Sequence, residues 1–320
     1  MGNRVSTLTI SMLIFILLAA LTNQSFAATE PLATITVEAG KHDRIDTPVS
    51  VTLEGIPFGR ITGAIGLVEV KPLGPVSVAA QIEPGNPPRL WWILSGRTPA
   101  GRERYFELVK GPTVKASKVE VTKDDSVLQI RQGDTKILQY NHAPVPPPEG
   151  KNPLYTRSGF IHPLWSPTGD VLTEIHPADH IHHVGIWMPW TKTKFEGKEV
   201  DFWNLAKGDG TVRFVKFLST TSGPVYGGFK AEMEHVALKT ADGEKVVLRE
   251  ERDVRVYNIG GPKKGYWLWD FVSTQRCVAD SPLYQIKYRY GGFGFRAAAE
   301  WEGAVSYTHL TLPTNRVAGG

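Results

Sequence analysis

The chain has 320 residues, nine histidines, one cysteine and a formal net charge of +4. Setting aside Arg4 near the start and Arg316 near the end brings the charge to +2, too mild a balance to mark nucleic acid or an anionic membrane surface as a partner. Cys277 is single, which excludes an intrachain disulfide and a zinc centre built on paired cysteines.

In chain order, Arg4 followed by the uncharged apolar run Leu8 to Leu21 and the small residues of Ser25-Phe26-Ala27 reads as a signal peptide over 1–27. The run is shorter than the ~20 residues that a spanning helix needs. The expectation is an exported protein, periplasmic or secreted, with no membrane contact beyond the export signal. From residue 33 onward the signal is strand. Ala33 to Val37 and Val49 to Leu53 alternate apolar and polar residues. Val127 to Ile130 and Lys136 to Tyr140 flank Gln132-Gly133-Asp134-Thr135, and Val236 to Lys239 and Lys245 to Leu248 flank Ala241-Asp242-Gly243; both read as hairpins. Arg249 to Tyr257 extends the second of these, Gly260-Gly261-Pro262 makes a loop, and Tyr266 to Val278 alternates over a long strand in which Cys277 reads as a small core residue. Ser281 to Arg289 leads into the glycine-rich aromatic run Tyr290 to Phe295, which suits either a close backbone approach to a ligand or a bulged strand.

No stretch of ten residues after the leader keeps a helical period, so the fold class is all-β, a large antiparallel β-sandwich. Ala143 to Gly150 is rich in proline and reads as a rigid connector over 143–150, between an N-terminal β region (28–142) and a histidine-bearing β region (151–304). Whether these are two domains or one continuous β architecture is open on sequence, with the single architecture favoured. Ser306 to Arg316 resembles a translated sequencing adapter. The expectation is therefore a non-native tail over 305–320, a fold truncated at its C-terminus, and no role for His309.

Chemistry concentrates in one place. His162, His176, His180, His182 and His183 fall close together, and Asp179-His180-Ile181-His182-His183 is the densest segment. Imidazole serves both metal binding and proton transfer near neutral pH. If 179–183 were extended, His180 and His182 would share a face and His183 would point the other way. A divalent transition metal held by His180, His182 and His176 is one reading. Proton transfer by His180, His182 and His183, with Asp179 or Asp201 as the complementary carboxylate, is another. Polar loop histidines bonded to backbone are the third. The flanking segments Arg157-Ser158-Gly159 and Asp201-Phe202-Trp203-Asn204 add Arg157, His162, Trp187, Trp203 and Asn204 as groups able to hold a sugar through planar polar side chains and flat apolar faces. Core packing is the competing role for each tryptophan. Lys207 to Thr211 lacks the ending of a phosphate loop and reads as a turn, and Glu250-Glu251-Arg252 reads as a solvated strand edge.

The run from Arg157-Ser158-Gly159 through His162-Pro163, His176-Pro177-Ala178-Asp179-His180-Ile181-His182-His183-Val184-Gly185-Ile186-Trp187 and Asp201-Phe202-Trp203-Asn204 resembles the soluble bacterial family catalogued as methane oxygenase PmoA-like. The resemblance covers most of residues 30–303, and Asp-His-x-His-His-x-Gly is its most specific part. It implies an exported β-rich protein and, because such proteins occur in bacteria that degrade polysaccharides, a carbohydrate substrate. Members continue past Glu300-Trp301-Glu302-Gly303. The leading expectation is an exported carbohydrate-active enzyme on a sandwich of the kind seen in sugar mutarotases. It would act on a small-molecule or glycan substrate by hydrolysis, elimination or epimerisation. The alternatives are a non-catalytic sugar-binding module and a metal-dependent oxygenase.

Overall fold

Alternation with period two is the rule along this chain, and a strand so patterned is stable only when its apolar face meets another sheet. The computed structural model describes residues 31–55, 64–111 and 114–301; the expected signal peptide over 1–27 and the expected non-native tail over 305–320 lie outside the described residues. Strands β1 (Ala33–Glu38), β2 (Arg44–Thr52), β3 (Ile65–Val70), β4 (Val76–Val78), β5 (Ala80–Glu83), β6 (Arg89–Thr98) and β7 (Glu103–Lys110) come first. They form antiparallel sheets in the orders β1-β7-β3-β4 and β2-β6-β5. Leu67, Leu90, Trp92, Leu94, Phe106 and Leu108 fill the space between them.

A second sandwich follows, built from β8 (Val119–Lys123), β9 (Val127–Gln132), β10 (Thr135–Asn141), β11 (Phe160–Leu164), β12 (Ile186–Trp187), β13 (Thr193–Phe195), β14 (Lys198–Val200), β15 (Gly210–Thr221), β16 (Tyr226–Thr240), β17 (Gly243–Gly261), β18 (Tyr266–Cys277), β19 (Tyr284–Gln285) and β20 (Gly294–Phe295). One sheet runs β20-β12-β11-β10-β9-β8 and the other β15-β16-β17-β18, while β14-β13-β19 forms a small third sheet. The core between the two large sheets joins Leu128, Ile130, Leu138 and Ile161 to Ala231, Met233, Val254 and Val256. The architecture is thus all-β and antiparallel.

Both expected hairpins form. Gln132 pairs with Thr135 across Gly133-Asp134, where Gly133 has φ +56°, and Thr240 pairs with Gly243 across Ala241-Asp242. The proline-rich segment interrupts neither sheet nor core. Strands β10 and β11 lie on either side of it and pair directly, and Val145 and Arg157 exchange backbone hydrogen bonds of 2.7 and 3.1 Å. The change of sheet and core instead falls between β7 and β8. There the first sandwich meets the second through Trp91 and Ile93 against Val225, Tyr226, Tyr257 and Ile259. Gln81 Oε1 accepts from the Val225 and Tyr226 amides there, each at 3.1 Å.

Three sequence expectations change. Gly260 and Gly261, expected in a loop, belong to β17 and pair with Trp267 and Tyr266 of β18. Cys277 is exposed, because it is the last residue of edge strand β18 and its Sγ turns to the carbonyls of Ala279 and Ser281 at 3.9 and 3.6 Å. Glu250 and Arg252, expected at a solvated edge, are wholly buried, because β17 is an inner strand whose alternate residues face the core. Glu250 accepts from Arg252 Nε at 2.8 Å and from His235 Nε2 at 2.9 Å, and Arg252 also donates to the Gly159 carbonyl and lies over the Phe271 ring. The opposite charge of Arg252 and the hydrogen bond from His235 overcome the cost of burial and hold the Glu250 carboxyl down at about 2.

Candidate functional site

Asp179 to His183 does not run as a strand. Ile175 and Val184 form a bridge, the His176 amide donates to the His183 carbonyl at 2.8 Å, and between them the chain turns at Ile181-His182. This closes a short loop over 176–183 whose ends are pinned to the edge region of the six-stranded sheet. The glycine that ends the motif is dictated by this geometry. Gly185 has φ +43°, and a Cβ there would sit 2.0 Å from the Ile161 carbonyl oxygen.

The turn gathers the imidazoles more tightly than an extended segment would. His180 and His183 stack with ring centroids 4.7 Å apart at 13°, and His182 lies edge-on to His183 at 4.5 Å. Asp179 Oδ2 accepts from His180 Nδ1 at 2.6 Å, and its other oxygen accepts from Arg296 NH2 at 3.1 Å. Arg296 also reaches Glu174 Oε2 at 3.3 Å. A carboxylate bonded at Nδ1 fixes the tautomer, so the neutral form of the exposed His180 ring carries its lone pair on Nε2. The hydrogen bond from His180 is the main reason that the Asp179 carboxyl lies below its usual range, with Arg296 adding to it.

His182 and His183 are half-buried, and loss of solvation pushes them down to about 4 and about 3. Both rings are therefore neutral at physiological pH. His162, also pushed down to about 4 by burial, touches Thr173 Oγ1 at 3.0 Å through Nδ1. His176 stands behind the loop with φ +51°, donating from Nδ1 to the Ile181 carbonyl at 2.7 Å. Its Nε2 is buried with no hydrogen-bond partner among the described residues, as is His183 Nδ1. A non-glycine residue held at positive φ with an unsatisfied buried nitrogen is where strain and lost hydration are concentrated.

The flanking segments sort into different duties. Arg157 is buried, and its NH2 donates to the carbonyls of Phe202 and Trp203; burial pushes the guanidinium down to about 10. It ties the 201–204 segment in place, so the expected sugar-holding role does not match its position. Trp187 is buried too, packed on His183, Trp203 and Gly294, which makes it a support beneath the loop instead of an open platform. Trp203 is half-buried and carries the surface onward, its ring 5.9 Å from His183 and 6.4 Å from the exposed Tyr290. Asn204 caps a short turn by accepting from the Ala206 amide at 3.1 Å.

Asp201 does not join the imidazoles. Its Oδ1 accepts from the Trp203 and Asn204 amides at 2.8 and 2.9 Å, and its charge partners are Arg157 and Lys207. Burial raises its carboxyl above the usual range despite these contacts. It opens instead into a neighbouring cleft of about 230 Å³ lined by Lys192, Glu199, Asp201, Lys207, Asp209 and Tyr288. Among the described residues no group of three His, Cys, Asp or Glu side chains is arranged to hold a metal ion, so His176, His180 and His182 do not form the three-ligand set a transition-metal centre needs. Sequence reasoning missed Arg296, Glu174, Tyr288 and Lys192. Arg296 lies 117 positions from the Asp179 it holds, and no local pattern signals such a pair.

Fold and site together define an antiparallel β-sandwich protein with a histidine loop anchored at the edge region of one sheet. Residues 127–316 match DUF6807, described as a family of unknown function, and the chain belongs to that family. The match begins with β9 and takes in the histidine loop, Trp203 and Arg296. No curated protein and no solved structure matches.

Proposed function

We propose that this is an exported carbohydrate-active enzyme that moves a proton on a sugar at the 176–183 loop. The observation that carries the reading is the Asp179–His180 pair, 2.6 Å apart and braced by Arg296, beside two neutral imidazoles. In it His180 Nε2 takes the proton, and Asp179 orients the ring and stabilises the imidazolium that forms. Neutral His182 or His183 donates a hydrogen bond to the oxygen on which charge develops, a role suited to an imidazole too weakly basic to be charged. The sugar ring lies against Trp203, whose flat face complements its C–H surface.

Proton abstraction fits better than hydrolysis. Glycoside hydrolysis in its usual form needs two cooperating carboxyl groups. Asp179 is committed to His180 and Arg296, and Asp201 faces a different cleft. Epimerisation and elimination are thus the reaction classes that the geometry supports. Among the described residues the metal-dependent oxygenase reading finds no three-residue ligand set. A sugar-binding module without turnover is the second reading, favoured by the separation of Asp201 from the imidazoles.

The two are separated by assaying a saccharide panel for binding and turnover with wild type and with His180→Ala, His182→Ala and His183→Ala. The enzyme reading expects turnover to fall by at least about 100-fold in His180→Ala, the scale of a lost general base, with binding kept. Binding by the wild type with no turnover of any saccharide would favour the module.

A further inference from the structure

The histidine loop is one end of a longer surface. Aromatic rings follow one another from it: His183 to Trp203 at 5.9 Å, Trp203 to Tyr290 at 6.4 Å in a stacked arrangement, and Tyr290 to Tyr288 at 5.9 Å. Tyr288 and Tyr290 are each about half exposed, at 51% and 52%. They are held in line because the segment that carries them is bonded along the chain of 189–193. The Thr191 hydroxyl donates to the Tyr290 carbonyl at 2.5 Å, the Ile286 amide to the Lys192 carbonyl at 2.9 Å and the Gly292 amide to the Pro189 carbonyl at 2.8 Å. Lys192 lies over the Tyr288 ring, 5.9 Å from its centroid.

Tyr288 is also a wall of the Asp201 cleft, so the aromatic strip runs from the loop into a second concavity of about 230 Å³. The chemistry of that cleft differs from that of the loop. Its lining combines the acidic residues Glu199, Asp201 and Asp209 with the basic residues Lys192 and Lys207. Asp209 is engaged by Lys239 at 3.3 Å, and Asp201 uses one oxygen on two backbone amides. Donors and acceptors are therefore both present around a small polar space with an aromatic wall. Such a lining suits a neutral polyhydroxylated ring, each hydroxyl of which both donates and accepts, better than an anion or a cation.

We propose that the cleft around Asp201 and Tyr288 is a second sugar subsite, joined to the histidine loop by the Trp203–Tyr290–Tyr288 strip, so that the substrate is a neutral oligosaccharide and not a monosaccharide. The inference rests on the carbohydrate reading of the loop. It assigns Asp201, Lys207 and Tyr288 to binding at a distance from the reacting ring, and it explains why Asp201 stands apart from the imidazoles. One ring would lie at the loop and further rings over Tyr290 and in the cleft, the spacing between aromatic centroids being on the scale of one six-membered ring per step.

The test is calorimetric titration of the purified full chain with glucose, xylose, mannose and galactose, and with their β-1,4-linked tetrasaccharides. For at least one series the wild type is expected to bind the tetrasaccharide about tenfold or more tighter than the monosaccharide. Lys207→Ala and Tyr288→Ala, both at exposed positions, are expected to bring that ratio toward one. Equal affinity for both lengths in every series that binds, or a ratio untouched by both substitutions, would overturn the second subsite and leave the loop reading in place. Absence of binding by all eight saccharides would overturn both.

Discussion

Asp179 accepts His180 Nδ1 at 2.6 Å on one carboxylate oxygen and holds Arg296 at 3.1 Å on the other. The arginine comes from just beyond β20, so the orientation of one exposed histidine depends on a residue at the far end of the described chain. The consequence is a fixed tautomer, with the proton on Nδ1 and the lone pair on Nε2. Substituting Asp179→Asn removes the charged acceptor without changing its size. Nitrogen-15 chemical shifts of His180 at pH 8 are expected to report a single Nδ1–H tautomer in the wild type and a mixture in the variant. A mixture already present in the wild type would contradict the orienting role.

Acid sensitivity follows from the buried imidazoles. His162, His182 and His183 are pushed from 6.5 down to about 4, about 4 and about 3 in the fold. Below 6.5 the unfolded chain therefore binds protons that the folded chain refuses, and stability falls as pH drops from about 6.5 toward 3. Glu250, held at about 2 against 4.5, adds stability that is complete above 4.5 and is lost as pH falls toward 2. Urea midpoints measured from pH 8 to 4 should stay level to about 6.5 and then decline, and the decline should be shallower in His182→Gln/His183→Gln. A level profile down to pH 4 would contradict the burial of these rings.

The buried ionic cluster in the second core gives a stability prediction with an internal control. Arg252→Met leaves Glu250 charged and without its cation inside the sandwich, which should cost about 3–5 kcal/mol. Glu250→Met/Arg252→Met removes both charges and should recover most of that loss. Equilibrium urea unfolding measures both, and a single substitution no worse than the double would show that the pair is not coupled as described.

Two glycines separate steric from conformational demands. Gly185 and Gly133 both have positive φ, but a Cβ at Gly185 meets a carbonyl at 2.0 Å whereas at Gly133 it meets nothing within 4 Å. Gly133→Ala should cost about 1–2 kcal/mol, the price of a left-handed alanine. Gly185→Ala should exceed about 4 kcal/mol or prevent folding. Thermal melts compare them directly, and equal effects would contradict the close approach of Gly185 to Ile161.

How far the sequence reveals this protein depends on the range of the interaction. Hairpins at Gly133-Asp134 and Ala241-Asp242 are local, and their turn residues announce them. The density of histidines in 176–183 marks the candidate site for the same reason. The inward turn of Glu250 and Arg252 is not local. It depends on His235 lying two residues diagonally across the β16–β17 ladder and on the carbonyl of Gly159, in the bend just before β11. Read alone, three charged residues in a strand suggest solvent. Arg157 and Trp187 illustrate the converse: residue type suited a ligand, but each is enclosed by neighbours that sequence spacing does not reveal. Cys277 followed the inward alternation correctly and still ended exposed, because the strand outruns the core.

In the proposed reaction His180 Nε2 acts as a base toward a bound sugar. This role is tested most directly by incubating the wild type and His180→Ala with reducing saccharides in D₂O and following loss of sugar C–H signals by proton NMR. Deuterium incorporation into at least one saccharide is expected with the wild type, reduced at least about 100-fold in the variant. Incorporation at the same rate in both proteins would contradict this role.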